Sequence, residues 1–299
     1  MSLRTSLQRL RAVNWDPVHW LRLTASTLAK SLTRLWGRDV MLYVGGVSFF
    51  AMLAVFPGLS IIVGVYSLVA DPAAATHQAE VMSRLMPAGA RGLFAEELAR
   101  LAHTPLRAIS TQSGIALIIG GYASHRGFKA LLAGLSFIHD EDAPRGFLGF
   151  NIMALLVLIA AIVLLAFLSG VFLYLRFIAA AFDLTPLRGV PWLFSEWTWA
   201  SFGITLAMSL IYRFAMSSKP VAWAASIIGG GSAAILSMFM SWASAFYVEQ
   251  IAHLGATYGS VAAVVVFLIW LSWNVNAVFF GGALATEIEL AMDAHSAKA

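Results

Sequence analysis

FLGFNIMALLVLIAAIVLLAFLSGVFLY, residues 147–174, contains no charged side chain. A helix needs about 20 mainly apolar residues to cross the hydrocarbon of a bilayer, at ~1.5 Å per residue, and this run exceeds that length. Asn151, Ser169 and Tyr174 are its polar side chains, too few to give a helix a face fit for water. The composition of the whole chain agrees. It has 299 residues, 60% hydrophobic and 11% charged, with a mean hydropathy of +0.81. Soluble domains carry about a quarter charged residues, so a soluble fold could not cover itself here.

Runs of this kind, bounded by charge or proline, recur at residues 41–70, 115–138, 147–174, 192–214, 221–247 and 258–286. The fold class read from them is all-α: a polytopic membrane protein of about six transmembrane helices. Pro57 and Gly58 lie inside the first run, where the missing backbone donor predicts a kink or break. The second run is interrupted by Ser124-His125-Arg126-Gly127-Phe128-Lys129. Either that helix ends early or the charges face protein or water.

Basic residues set the expected orientation, because cytoplasmic loops retain them. With the N-terminus inside, thirteen Lys and Arg fall on the cytoplasmic side and six on the other. Both termini are therefore expected in the cytoplasm. Residues 1–39 read as a basic segment with an amphipathic helix lying along the membrane, since Arg22, Lys30 and Arg34 alternate with Trp20, Leu28 and Leu32. Residues 40–286 read as the transmembrane domain and 287–299 as a short cytoplasmic tail. The outer loop, 71–111, reads as two short amphipathic helices. No apolar run follows the first charges closely enough for a cleavable signal peptide.

Small residues spaced by four, such as Ala225 with Gly229 and Gly281 with Ala285, suit close helix packing. Three consecutive glycines, Gly229, Gly230 and Gly231, weaken a helix by roughly 1 kcal/mol each relative to Ala. With Pro57 and Gly58 they are the expected hinges.

Several of these stretches together resemble the YihY and virulence factor BrkB family of bacterial inner-membrane proteins, whose older label is ribonuclease BN. The resemblance runs from about Val44 to Glu289. It is carried by Ser48-Phe49-Phe50 through Pro57, by His139-Asp140-Glu141 followed by Arg145-Gly146-Phe147 and Asn151, and by Tyr212-Arg213-Phe214, Tyr258-Gly259-Ser260, Trp270 and Glu287. It implies the fold and location of a multi-pass protein of the bacterial inner membrane, and says little of the activity. The chain departs from the family pattern at Tyr122, Ser136 and His139, and at Gly281-Gly282-Ala283, where family members carry an acid. Glu287 stands one turn further on.

Ionisable groups within spans are functional candidates, since an unpaired charge at the bilayer centre costs about 3 kcal/mol or more. Arg126, Arg176, Glu196, Arg213 and Glu287 are such groups, and Asn274 and Asn276 sit inside the sixth run. Together they are the expected polar path, with snorkelling to the interface as the plainer alternative. Glu196 lies among Trp192, Trp197 and Trp199, and Arg188 or Arg176 is its expected partner. The acidic turn Asp140-Glu141-Asp142 reads as solvated and tied locally by Arg145, with divalent-cation binding as the less favoured alternative. No metal site, cofactor or catalytic residue is assigned. Cysteine is absent, and no HExxH, GxxxxGK or GxSxG motif occurs, so nothing supports an enzyme or the inherited nuclease label. The expected function is an envelope transporter or lipid translocator, with a lipid or small solute as substrate, membrane lipids as partners and no nucleic acid. A non-catalytic scaffold for envelope biogenesis is the alternative, and a membrane-embedded hydrolase or ribonuclease comes third.

Overall fold

The computed structural model describes residues 17–37, 39–69, 91–92, 106–140, 145–181, 195–252 and 258–296. Seven α-helices run through them: α1 Pro17–Trp36, α2 Met41–Val69, α3 Leu106–His139, α4 Phe147–Ala181, α5 Glu196–Phe214, α6 Trp223–Phe246 and α7 Ala262–Ser296. A π-turn, Tyr247–Ala252, and a 3-10 turn, Gly259–Val261, lie between the last two. No strand occurs among the described residues. The two amphipathic helices expected in the first loop, the expected pairing of Glu196 with Arg188, and Glu141 with Asp142 lie outside them.

Three helices are long and apolar enough to cross a membrane by themselves, over Phe147–Phe172, Trp223–Gln250 and Ala262–Ala294. A bent pair, Thr24–Trp36 with Met41–Val55 at 76°, makes a fourth candidate. Of the other three runs, residues 41–69, 115–138 and 196–214 are helical as well, in α2, α3 and α5. Neither expected interruption ends a helix: α2 continues through Pro57, and α3 continues through the charged stretch 124–129. Asp140, with φ of 58°, follows the last residue of α3 in the left-handed conformation common just past a helix end.

Glycines decide how the helices approach. Along α2 and α3 the register is antiparallel: a Cβ on Gly120 would lie 2.7 Å from Pro57 Cβ, one on Gly127 3.4 Å from Phe50 Cβ, and one on Gly134 3.0 Å from Tyr43 Cβ. Three glycines of α3, Gly120, Gly127 and Gly134, thus face α2 at intervals of seven, the repeat of an antiparallel coil. Between α6 and α7 the backbones themselves meet, with a Cβ on Gly229 falling 2.6 Å from the Gly281 carbonyl oxygen and the reverse equally close. Gly230 faces Thr205 and Ser209 of α5. The expected hinge at Gly229–Gly231 is therefore an unbroken stretch of α6 with two of its three glycines in close contacts.

Two bodies result. The pair α2–α3 and the trio α5–α6–α7 are the most extensively packed groups, whereas α4 packs more lightly on α3 and α5. The bodies share a core of Leu132, Leu135, Ile138, Tyr212, Met216 and Phe279, all of them buried. On α4, Ile152, Leu155, Leu156, Ile159, Ile162, Val163, Leu165 and Phe167 are exposed. Such a surface has lipid as its solvent.

Candidate functional site

The end of α1, the C-termini of α3, α5 and α7 and the N-termini of α4 and α6 gather at one end of the bundle, and charged side chains from one helix close the open end of another. Helix ends leave backbone carbonyls and amides without partners, and the dipole makes C-termini attract cations and N-termini attract acids. Arg34 of α1 reaches the end of α3: its Nη1 donates to the Ile138 carbonyl at 2.9 Å and to Asp140 Oδ2 at 2.9 Å. Its Nε donates to Glu287 Oε1 of α7 at 2.7 Å. The Arg34 and Glu287 side chains are only 14% and 11% exposed. Removing either would leave the other short of its partner in a largely enclosed place. Beside this pair, Lys30, Thr33, Arg34 and Glu287 line an open pocket of about 250 Å³.

His139, the last residue of α3, places Nδ1 3.0 Å from Thr286 Oγ1 and Nε2 3.7 Å from Glu289 Oε2. Glu289 also accepts from the Ala222 amide at the start of α6, at 3.3 Å, where an acid is favoured by the dipole. Ser136 Oγ donates to the Met216 carbonyl at 2.9 Å. Arg145, just ahead of α4, donates to the carbonyls of Phe214, Ala215 and Ser217 beyond α5. Asp140 of the acidic turn bonds Arg34 and Arg145 closes α5, while the expected tie of Arg145 to Glu141 or Asp142 lies outside the described residues. Arg213 donates to the Val221 carbonyl and stacks on Phe214 and Trp223, at 5.1 and 4.3 Å from the ring centroids.

Of the residues expected to form one polar path, the five whose side chains are described, Arg126, Arg213, Asn274, Asn276 and Glu287, do not converge. Glu287 and Arg213 stand at the polar end. Asn274 and Asn276 sit deeper on α7, where their amides donate to their own helix, at Trp270 and Ser272. Asn274 Oδ1 accepts from Ser241 of α6 at 3.3 Å, and Trp270 Nε1 donates to the same Ser241 hydroxyl at 3.1 Å. Asn274 therefore joins α6 to α7. Arg126 lies apart, over the rings of Phe50 and Tyr122. Arg176 and Glu196 are placed in α4 and α5 by their backbones alone. Arg34, Ser136, Thr286 and Glu289 are members of the polar end that were not expected from sequence. No group of metal-ligating side chains occurs among the described residues.

The motif stretches that fall on the ends of α3, α4, α5 and α7 are those the polar end is made from. A family model described as Virulence factor BrkB matches residues 31–299. The chain belongs to that family. It is a BrkB-family, multi-pass membrane protein, and the matched region begins three residues before Arg34, so it takes in the polar end named above except Lys30. No curated protein and no solved structure matches the chain.

Proposed function

We propose that this BrkB-family protein is a transporter or lipid translocator of the bacterial inner membrane, crossing it six times with both termini in the cytoplasm. In this reading α2–α3 and α5–α6–α7 are the moving bodies and the polar end is a latch on the cytoplasmic side. One observation carries it. The polar bonds between the two bodies gather at that end, whereas further along they meet through Met52, Val55, Phe267, Trp270 and Leu271 and a single Ser48–Ser272 bond among the described residues. A contact that is polar at one end and mostly apolar elsewhere can open by exchanging a few charged bonds for water. Six crossings are supported by the alternation of helix ends: α3, α5 and α7 finish where α2, α4 and α6 begin.

The test is flux. Proteoliposomes should move a fluorescent phospholipid between leaflets faster than empty vesicles, and Glu287→Gln, which removes one of the two carboxylates held by Arg34, should change the rate at least severalfold with the protein still folded. If no lipid or solute moves and Glu287→Gln restores detergent resistance to a strain lacking the native copy, the translocator reading is lost. The scaffold reading is the alternative, favoured by the backbone-to-backbone seam of α6 and α7, which leaves no room for a path between those two helices. The activity proposed is not catalytic. Stringently purified protein is expected to leave structured RNA intact with magnesium, manganese or zinc supplied, and turnover abolished by changing Asp140, Glu141 and Asp142 together to Ala would restore the nuclease reading.

A further inference from the structure

We propose that the groove between α2, α3 and α4 is a binding site for the phosphate headgroup of an anionic phospholipid, held at membrane depth by Arg126 and Lys129. The site gives a substrate class to the translocator proposed above and rests on that reading for its purpose, though its occupancy can be measured independently.

Depth comes first. Lys129 precedes the end of α3 by ten residues and Arg126 by thirteen, or about 15 and 20 Å along a helix. Lys129 Nζ donates to Asn151 Oδ1 at 2.8 Å, and Asn151 is one turn inside the Phe147–Phe172 span. These cations therefore stand below the polar end, against the hydrophobic part of α4.

Exposure comes second. Arg126 is exposed and Lys129 half-buried. Their ring neighbours are Phe50, Tyr122 and Phe147, and α3 and α4 also expose Ile118, Ile119, Leu148, Ile152 and Leu155. The groove opens to lipid.

Charge decides the occupant. Arg126 lies 5.7 Å from the Phe50 ring centroid and 5.8 Å from that of Tyr122, and Lys129 lies 5.5 Å from that of Phe147. Nearby His125 Nε2 is 3.3 Å from the Asn151 carbonyl. Neither Arg126 nor Lys129 has an acidic partner among the described residues. Ring faces and one amide oxygen stabilise the two cations without neutralising them, although cations in spans elsewhere pair with acids or reach water. By contrast Arg34, at the end of the bundle, has two carboxylates. Lipid itself carries the negative charge that no described side chain supplies to these two cations. A phosphate on a diacyl chain fits a cationic groove whose helices also expose Leu and Ile, and a guanidinium beside an ammonium suits phosphate oxygens.

The experiment uses the full chain in bilayer nanodiscs holding spin-labelled phosphatidylglycerol or spin-labelled phosphatidylcholine, and reads the motionally restricted fraction of each. The wild type should retain phosphatidylglycerol over phosphatidylcholine, with each cation contributing up to about fivefold. Arg126→Gln with Lys129→Gln should bring the two lipids to parity, and Arg126→Lys with Lys129→Arg should restore the preference. Lys219→Gln, which removes an exposed charge from the α5–α6 connection, should leave it unchanged. Size-exclusion profiles and thermal midpoints confirm that each variant is folded. Parity in the wild type, or a preference that survives the double change to Gln, overturns the site. So does inorganic phosphate abolishing the lipid preference at millimolar concentration, which would make the groove a solute site. If the preference behaves as expected while no lipid crosses the bilayer, the translocator reading falls and the site stands. If lipid crosses with no anionic preference, the site falls and the translocator stands.

Discussion

The α6–α7 seam and the α2–α3 seam are both built on glycines, but the glycines face different obstacles. At Gly229 and Gly281 each glycine lies against the other's carbonyl oxygen, and a backbone cannot turn away. At Gly120, Gly127 and Gly134 the nearest opposing atoms belong to side chains of α2 and α7, namely Pro57 Cβ, Phe50 Cβ and the Phe279 ring, and not to a backbone carbonyl. Lipid gives no hydrophobic force for helix association, so each seam depends on the closeness of contact. The first seam fixes a distance, and the second fixes a register.

The largest effect should therefore come from Gly281→Ala. Its Cβ would meet Gly229 O at 2.6 Å, Ala233 Cβ at 2.8 Å and Tyr212 Oη at 2.8 Å, and an overpacked site of that kind costs about 3 kcal/mol. A fall in the thermal midpoint of detergent-purified protein, read from tryptophan fluorescence, checks it. Because each change pushes the same two backbones apart, combining it with Gly229→Ala should cost less than the two singly. Full additivity would mean the seam is not reciprocal.

Gly120→Ala should cost about 1 kcal/mol in the same assay, since Pro57 Cβ stands in the way at 2.7 Å and the gain in helix propensity offsets part of the strain. At Gly231, where a Cβ meets nothing within 4 Å, Ala should instead raise stability by ~0.5–1 kcal/mol. A loss there would show that α6 bends at this point after all. Smallest is Gly127→Ala: its contact of 3.4 Å with Phe50 Cβ is ordinary packing, and a change within about 0.5 kcal/mol is expected. A larger loss would place the two seams in the same class.

How these seams and the polar end were written in the chain differs in kind. The apolar runs announce helices because each is local, and the motif around His139, Arg145 and Asn151 carries the family. The pairs Ala225–Gly229 and Gly281–Ala285 were visible as small faces, and α6 and α7 do meet there. The glycines of α3 were equally present, but at intervals of seven, and a search at intervals of four passes over them. Arg34 reads in sequence as one more cation of a basic tail. Its partners Asp140 and Glu287 lie 106 and 253 residues away, and no local pattern joins such positions. The flexure read into Gly229–Gly231 came from propensity alone, which describes a helix without neighbours. Close neighbours on both sides reverse its meaning. Gly230→Leu, for the same reason, would collide with the Thr205 carbonyl and report on packing instead of motion.

The light packing of α4 bears on how the protein is made. A helix whose sides are nearly all Leu, Ile, Val, Ala and Phe partitions from the translocon into lipid by its own composition. Its predecessor does not, because α3 brings His125, Arg126 and Lys129 with it, and a central Lys or Arg disfavours insertion by roughly 2.5–3.5 kcal/mol. Lys129 gains its Asn151 oxygen and the Phe147 ring only after the ribosome has added the first turn of α4. In the six-crossing arrangement proposed above, the third helix is therefore expected to settle in the bilayer only once the first turn of the fourth has joined it.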